Sequence, residues 1–357
     1  MDEMSQLSLL RAEVPEPDLP DLRAEEERLM AAIAGSAPAR RTSRRTGRRV
    51  FVRIGVAGGL SAAAVAAVVA VSVDSAPRPS PPGPVPTSAA PAPLPKSVAP
   101  VAVVQTLDHA AEAALHQPEL HPRPGQFLVF RSQSMEQVES NSRHGYARYL
   151  SNTRRTIWLP VSGDATGGVD EGQVLPPKAY PGWPIPPEAR TGQGSYGPDR
   201  LVDYDGTADY LRTDYTHLSR LPTDTAGMRQ HLYYRAAEGV AGDRDAWQRV
   251  GSMLTNAYMP TAQRAALFRA AATIPGVKAV ASAKDAVGRE GVAVAMTDPG
   301  LGTRQEYIFD RNTYLYLGAR TVIVNAAKAR GPKGGITEST AQLSVQVADK
   351  APRIKKN

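Results

Sequence analysis

Hydrophobic positions along this chain fall into three regimes. Between residues 19 and 34 they recur at helical spacing, with Leu22, Leu29, Met30 and Ile33 on one face. From 54 to 73, twenty residues run without a charge and are apolar on every side. At 1.5 Å of rise per residue such a helix crosses about 30 Å of hydrocarbon, and a helix in water has no use for an apolar surface all round. This segment predicts a single membrane span. Beyond residue 101 the pattern becomes that of a folded domain. Helical spacing covers 101–115, and alternation in 126–133, 146–151 and 156–160 predicts strands. The Gly- and Pro-rich stretch 163–198 predicts a long loop. Helices are expected at 224–237, 243–257 and 261–274, the last opened by Thr261 after Pro260 and closed by Pro275-Gly276. Short strands follow near 277–283, 290–297, 304–309, 314–325 and 340–348. Strands, then helices, then a meander of strands predict an α+β domain with one antiparallel sheet packed on a few helices. Curved around those helices, the sheet would enclose an apolar groove.

Proline and charge set the boundaries between these regimes. Ten of the 26 residues from 75 to 100 are proline, which predicts an extended stalk without helix or ladder. Residues 1–39 hold nine acids against three arginines, whereas 40–53 hold seven arginines and no acid. With Arg44, Arg45, Arg48, Arg49 and Arg53 flanking the apolar run on its N-terminal side, the positive-inside rule places the N-terminus in the cytoplasm. The same arginines suit anionic headgroups. The expected order is a cytoplasmic segment 1–53, a span 54–73 in the plasma membrane, a stalk 74–100, an extracytoplasmic α+β domain 101–350 and a basic tail 351–357. A cleaved twin-arginine export signal around Arg48-Arg49-Val50-Phe51-Val52 is the rival reading. The long leader before the motif and the poor A-x-A match at Asp74-Ser75-Ala76 count against it. The arginine run nearly cancels against the acidic residues before it, and the charges beyond it are spread without a dense cluster until the tail Arg353, Lys355 and Lys356, so the net charge of +7 does not indicate a nucleic-acid groove.

The chain offers little chemistry. It has no cysteine, which excludes disulfides, thiolate metal sites and a cysteine nucleophile. Gly192-Gln-Gly194-Ser-Tyr-Gly197 matches G-x-G-x-x-G but lacks the strand before it and the helix after it. Ser195 follows Gly194 but fails the G-x-S-x-G elbow, because residue 193 is Gln. Asp203-Tyr-Asp205-Gly206 opens like a calcium loop and lacks the later ligands. The six histidines, His109, His116, His121, His144, His217 and His231, show no H-E-x-x-H spacing, so no metal is expected. Trp158, Trp183 and Trp247 with Tyr146, Tyr149, Tyr233 and Tyr234 are expected to pack core and sheet. No catalytic residue and no cofactor site is predicted, and the chain is read as non-enzymatic.

A set of longer motifs adds to this reading: Val14-Pro-Glu-Pro17, Arg155-Thr-Ile-Trp-Leu-Pro160, Leu221-Pro-Thr-Asp224, Arg264-Ala-Ala-Leu-Phe-Arg269, Ile274-Pro-Gly-Val277, Asp285-Ala-Val-Gly-Arg289, and Ile308-Phe-Asp310 with Tyr314 to Arg320. In these the chain resembles an actinobacterial family of single-pass membrane proteins, without an established activity, commonly encoded beside extracytoplasmic-function sigma factors. The resemblance implies an anti-sigma-like or signal-transmitting role, with a sigma factor or another cytoplasmic regulator as partner. Residues 1–53 contain none of the His and Cys of zinc-type anti-sigma domains. The helix at 19–34 is then either disordered alone or a partner-binding element carried by Leu22, Leu29, Met30 and Ile33. Two functions are expected as alternatives: a membrane-anchored regulator with an external sensing domain and an unknown external ligand, or a stalked lipid- or peptide-binding module without a cytoplasmic partner.

Overall fold

The structure is a computed structural model that describes residues 97–98, 100–142, 145–163, 167–201 and 207–354. The cytoplasmic helix, the arginine run, the segment 54–73 and most of the stalk lie outside these residues. Among the described residues no helix is long and apolar enough to cross a membrane.

Eleven strands form one antiparallel sheet: β1 (Ser97–Val98), β2 (Phe127–Ser142), β3 (Gly145–Pro160), β4 (Val169–Val174), β5 (Lys178–Ala179), β6 (Gly194–Arg200), β7 (Lys278–Lys284), β8 (Glu290–Asp298), β9 (Thr303–Asp310), β10 (Tyr316–Ile323) and β11 (Ile336–Ala348). Their order is β1-β7-β8-β9-β10-β11-β2-β3-β4-β6, with β5 alongside β3. Among the described residues six α-helices accompany it: α1 (Pro100–Leu115), α2 (Tyr215–Leu218), α3 (Thr225–Tyr233), α4 (Gly239–Leu254), α5 (Thr261–Ala272) and α6 (Ala326–Ala329). The α+β class with a large antiparallel sheet is as expected.

Two expectations need correction. The stretch 163–198 is not one loop, since it contributes β4, β5 and the edge strand β6. Its glycines serve the pairing: a Cβ at Gly172 would crowd the Arg154 carbonyl, and Gly197, at φ +80°, lies against the Asp170 carbonyl. Nor does the stalk run unpaired to residue 100. Ser97 and Val98 have free N–H groups between prolines and pair with Val280 and Ala279 of β7, and α1 starts at Pro100, where a missing N–H costs nothing.

One face of the sheet carries the helices. Val103, Leu107, Ala110, Ala111 and Ala114 of α1 recur at helical spacing and pack with α3, α4 and α5 onto Ala279, Val294, Tyr307 and Phe309. Aromatic contacts interlock the two layers: Trp247 lies 4.5 Å from Tyr307 between ring centroids, and Phe268 meets Phe309 edge-on at 5.4 Å. The Tyr307 hydroxyl donates to the Trp247 carbonyl at 3.0 Å. That approach depends on Gly251, where a Cβ would collide with the Tyr307 hydroxyl. Within this largely aliphatic core, Trp247, Phe268, Tyr307 and Phe309 are the buried rings that key the helices to the sheet.

The opposite face is lined by small apolar residues, Val280, Ala283, Ala293, Ala295, Ile308 and Leu317, and by one buried charge cluster. Glu306, fully buried, accepts from Arg304 Nε and Arg320 Nε, each at 2.8 Å. The sheet coils over this face. Arg289, beside β8, donates to the carbonyls of Leu317 on β10 and Gln342 on β11 at 2.9 and 2.8 Å. In a flat sheet β8 and β11 stand three strand spacings apart, about 14 Å, which is beyond one arginine's reach. The β7–β8 turn therefore folds across, and Ala286 joins Met135, Leu150, Tyr180 and Ala341 in a cluster.

Helix propensity alone favours Ala over Gly at position 251 by about 1 kcal/mol. The contact with Tyr307 reverses the sign, so Gly251→Ala is expected to lower stability by about 1–3 kcal/mol in urea unfolding. Glu306→Ala leaves two guanidinium groups facing each other and is expected to cost about 3–5 kcal/mol in the same measurement.

Candidate functional site

An open cavity among the described residues lies within the helical segment that links β6 to β7. It is a cleft of about 610 Å³ lined by Ala208, Asp209, Tyr210, His217, Pro222, Gly227, Gln230, His231, Tyr234 and Arg235. Its walls are two short helices, each opened by an aspartate. Asp214 accepts from the His217 backbone N–H at 2.9 Å and caps α2; Asp224 accepts from the Gly227 N–H at 2.8 Å and caps α3. Leu218, Met228 and Leu232 bury the other sides of these helices in the core. At the C-terminal end of α3, Arg249 of α4 donates to the carbonyls of His231 and Leu232 at 3.2 and 2.9 Å. A cation there satisfies carbonyls left open by the helix end. The chain then turns through Arg235, which holds a left-handed φ of +55°.

This framework brings together residues fourteen apart in sequence. The rings of His217 and His231 lie 6.1 Å apart between centroids, tilted by 46°. The Nε2 atom of each is buried and has no hydrogen-bond partner among the described residues. Burial pushes His231 down to about 4, helped by the charges of His217 and Arg249. Burial also lowers His217, with Asp214 and Asp209 acting in the other direction. Both imidazoles are therefore neutral at pH 7. Beside them Tyr210 and Tyr234 meet edge-on at 5.5 Å. Arg235 lies 5.8 and 5.7 Å over the two rings, and Arg249 lies 5.1 Å over Tyr210. The Asp209 carboxylate at the margin pairs with Arg212 at 3.5 Å.

The residues singled out from the sequence are distributed elsewhere or resolved differently. Leu22, Leu29, Met30, Ile33 and the five flanking arginines lie outside the described residues, as do His144, Asp203 and Asp205. Gly194 and Gly197 of the G-x-G-x-x-G match belong to the edge strand β6 and Gly192 precedes it, with Ser195 exposed opposite Gln173. His109 lies 4.7 Å from Tyr314, and His116 is tied to the Glu112 carbonyl at 2.8 Å. Trp247 and Tyr233 pack into the core as expected. Tyr234 does not: it is exposed and lines the cleft. Among the described residues no three His, Cys, Asp or Glu converge as a metal site.

No protein-family model matches the chain, and no curated protein matches it. Among solved structures it is similar to the complex of MucA and MucB from Pseudomonas aeruginosa, at 13% identity and a TM-score of 0.23. That match covers 71% of this chain and 59% of the other, so this chain spans less than two thirds of its neighbour. A domain assigned to outer membrane lipoprotein sorting in Vibrio parahaemolyticus is also similar, at 7% identity and a TM-score of 0.20, covering 69% and 93% of the two chains. At these scores the likeness carries no functional argument.

The lowered histidines have a consequence for stability. A histidine whose folded pKa lies below its unfolded value of about 6.5 binds fewer protons folded than unfolded. Stability is then full above that unfolded value and falls as pH drops toward 4, by at most about 1.4 kcal/mol per pH unit for one proton. Thermal unfolding between pH 7 and 4 is expected to show this decline, and His231→Gln is expected to flatten it.

Proposed function

We propose that this chain is a membrane-tethered regulator whose external domain binds a ligand and whose N-terminal segment contacts a cytoplasmic partner, without catalysis. The observation that carries the ligand-binding part is the open cleft. It is lined by two neutral imidazoles, the half-buried Tyr210 and the exposed Tyr234, on elements fixed by caps and core packing. Buried polar nitrogens ordinarily have partners. Behind this lining the Nε2 atoms of His217 and His231 are buried without one among the described residues. For catalysis the same histidines would need a nucleophile or a positioned acid beside them, and the carboxylates that act on His217 among the described residues, Asp209 and Asp214, are engaged by Arg212 at 3.5 and 2.8 Å.

The regulatory part is supported by the sequence. The charge asymmetry about residues 54–73 argues for a cytoplasmic N-terminus, and the apolar stripe of 19–34 has no face of its own chain within that segment to cover it. The family resembled adds a sigma factor as the first partner to test. A stalked module that holds a lipid or peptide, with no cytoplasmic partner, is the second reading, favoured by the same cleft.

Crosslinking the full-length protein in native membranes separates the two. Capture of a sigma factor or other regulator through residues 1–50, lost on Leu22→Asp or Leu29→Asp, is the expected result. Absence of any cytoplasmic partner in wild-type membranes would leave only the second reading.

A further inference from the structure

A second surface is built around the sequence Tyr180-Pro181-Gly182-Trp183. Proline at the second position and glycine at the third, with Gly182 at φ +82° and the Trp183 N–H donating to the Tyr180 carbonyl at 2.9 Å, make a type II turn. Its two rings have different fates. Tyr180 is fully buried among Met135, Leu150, Ala286 and Ala341, whereas Trp183 packs half-buried against that same cluster. Tyr146 of β3 meets Trp183 edge-on, 5.4 Å between centroids, and stays 44% exposed. Arg148 holds the pair. Its Nε donates to the Tyr146 hydroxyl at 2.9 Å, and its guanidinium lies 6.0 Å from the Trp183 ring. The guanidinium is itself fixed by Glu139 at 3.0 Å and by the Arg330 carbonyl at 2.6 Å. Fixing an exposed ring this firmly costs side-chain freedom and returns little burial within the domain.

The register of β1 brings the chain's own proline-rich segment to this side of the domain. Ser97 pairs with Val280 and Val98 with Ala279, so β1 runs opposite to β7 and the chain enters it from the side of the β7–β8 turn. From Val280 to Lys284 is about 13 Å along β7, and Ala286 in the turn beyond belongs to the cluster on which Trp183 packs. At about 3.1 Å per residue in the polyproline conformation, residues 79–96 can span about 56 Å, well beyond that distance.

We infer that the Tyr146–Trp183 patch docks the chain's own residues 79–95 as a polyproline-type segment. Proline rings pack on tyrosine and tryptophan, and a segment already extended loses little freedom on binding. Covalent connection supplies an effective concentration in the millimolar range, so weak contacts are enough. Charge agrees with this occupant. Residues 75–100 hold no acid and carry Arg78 and Lys96, while the patch carries the exposed carboxylate of Glu139. Docking shortens the tether of the domain and requires neither a ligand in the cleft nor a cytoplasmic partner.

The test uses the full chain in an uncharged detergent, with nitrogen-15 in the indoles of Trp158, Trp183 and Trp247. Because the chain has no cysteine, Ala89→Cys places a single nitroxide within the segment. The expected result is selective broadening of the Trp183 indole signal, reversed when the nitroxide is reduced. Tyr146→Ser is expected to weaken docking about tenfold and restore much of that signal, with the unfolding curve unchanged. Replacing Pro91, Pro93 and Pro95 with serine leaves the domain's own sequence intact and is expected to release Trp183 as well. No broadening of Trp183, equal broadening of all three indoles, or broadening that survives both sets of substitutions overturns the inference. Broadening in a mixture of nitroxide-bearing unlabelled chain with nitrogen-15 chain lacking the nitroxide also overturns it, because that contact is between copies.

Discussion

The Tyr307 hydroxyl meeting the Trp247 carbonyl over Gly251 is the contact on which the rest of this domain depends. It fixes α4 at a set height above β9. From that position α4 sends Arg249 to the end of α3, and α3 holds His231 opposite His217. The cleft is therefore placed by a sheet-to-helix contact at its back, while the residues around its mouth only complete it. A glycine in mid-helix gives up helical propensity, and here that loss is what allows a ring to fit.

The two faces of the sheet solve different problems. The helical face is packed by aliphatic side chains and keyed by the rings of Trp247, Phe268, Tyr307 and Phe309. The other face coils on itself and leaves room for alanine and glycine, so its specificity comes from charge. Glu306 between Arg304 and Arg320 fixes how β9 and β10 lie with respect to each other, and the Arg289 clamp closes the β7–β8 turn over β10 and β11. Buried charges of this kind add little net stability and disfavour alternatives in which they would be unpaired.

Much of the fold was legible because periodicity survives in long elements. Helix α1 and strands β7 to β10 fall where the apolar pattern puts them. The stretch 163–198 was not legible, since its glycines and prolines normally mark loops, and only the pairing of β4 with β6 shows that they relieve crowding in a bulged edge. The site was hidden for another reason. His217 and His231 sit on separate short helices, so no spacing rule joins them. The available signal was the pair of capping aspartates, Asp214 and Asp224, each opening a helix that carries one histidine. The motif Leu221-Pro-Thr-Asp224 is, in the structure, the cap of α3, and Asp285 to Arg289 is the clamp of the β7–β8 turn. Several of the motifs behind the family resemblance are thus architectural.

Among the described residues, the chain ahead of α1 meets the domain through a short ladder. Ser97 and Val98 form only two residue pairs at the edge of the sheet, directly ahead of α1. Tension applied through the preceding residues would fall first on that two-rung ladder and not on the core. Under load β1 would peel from β7 while α1, anchored by Leu107 and Ala111, stays in place, so the junction behaves as a mechanical fuse whose release leaves the folded domain intact.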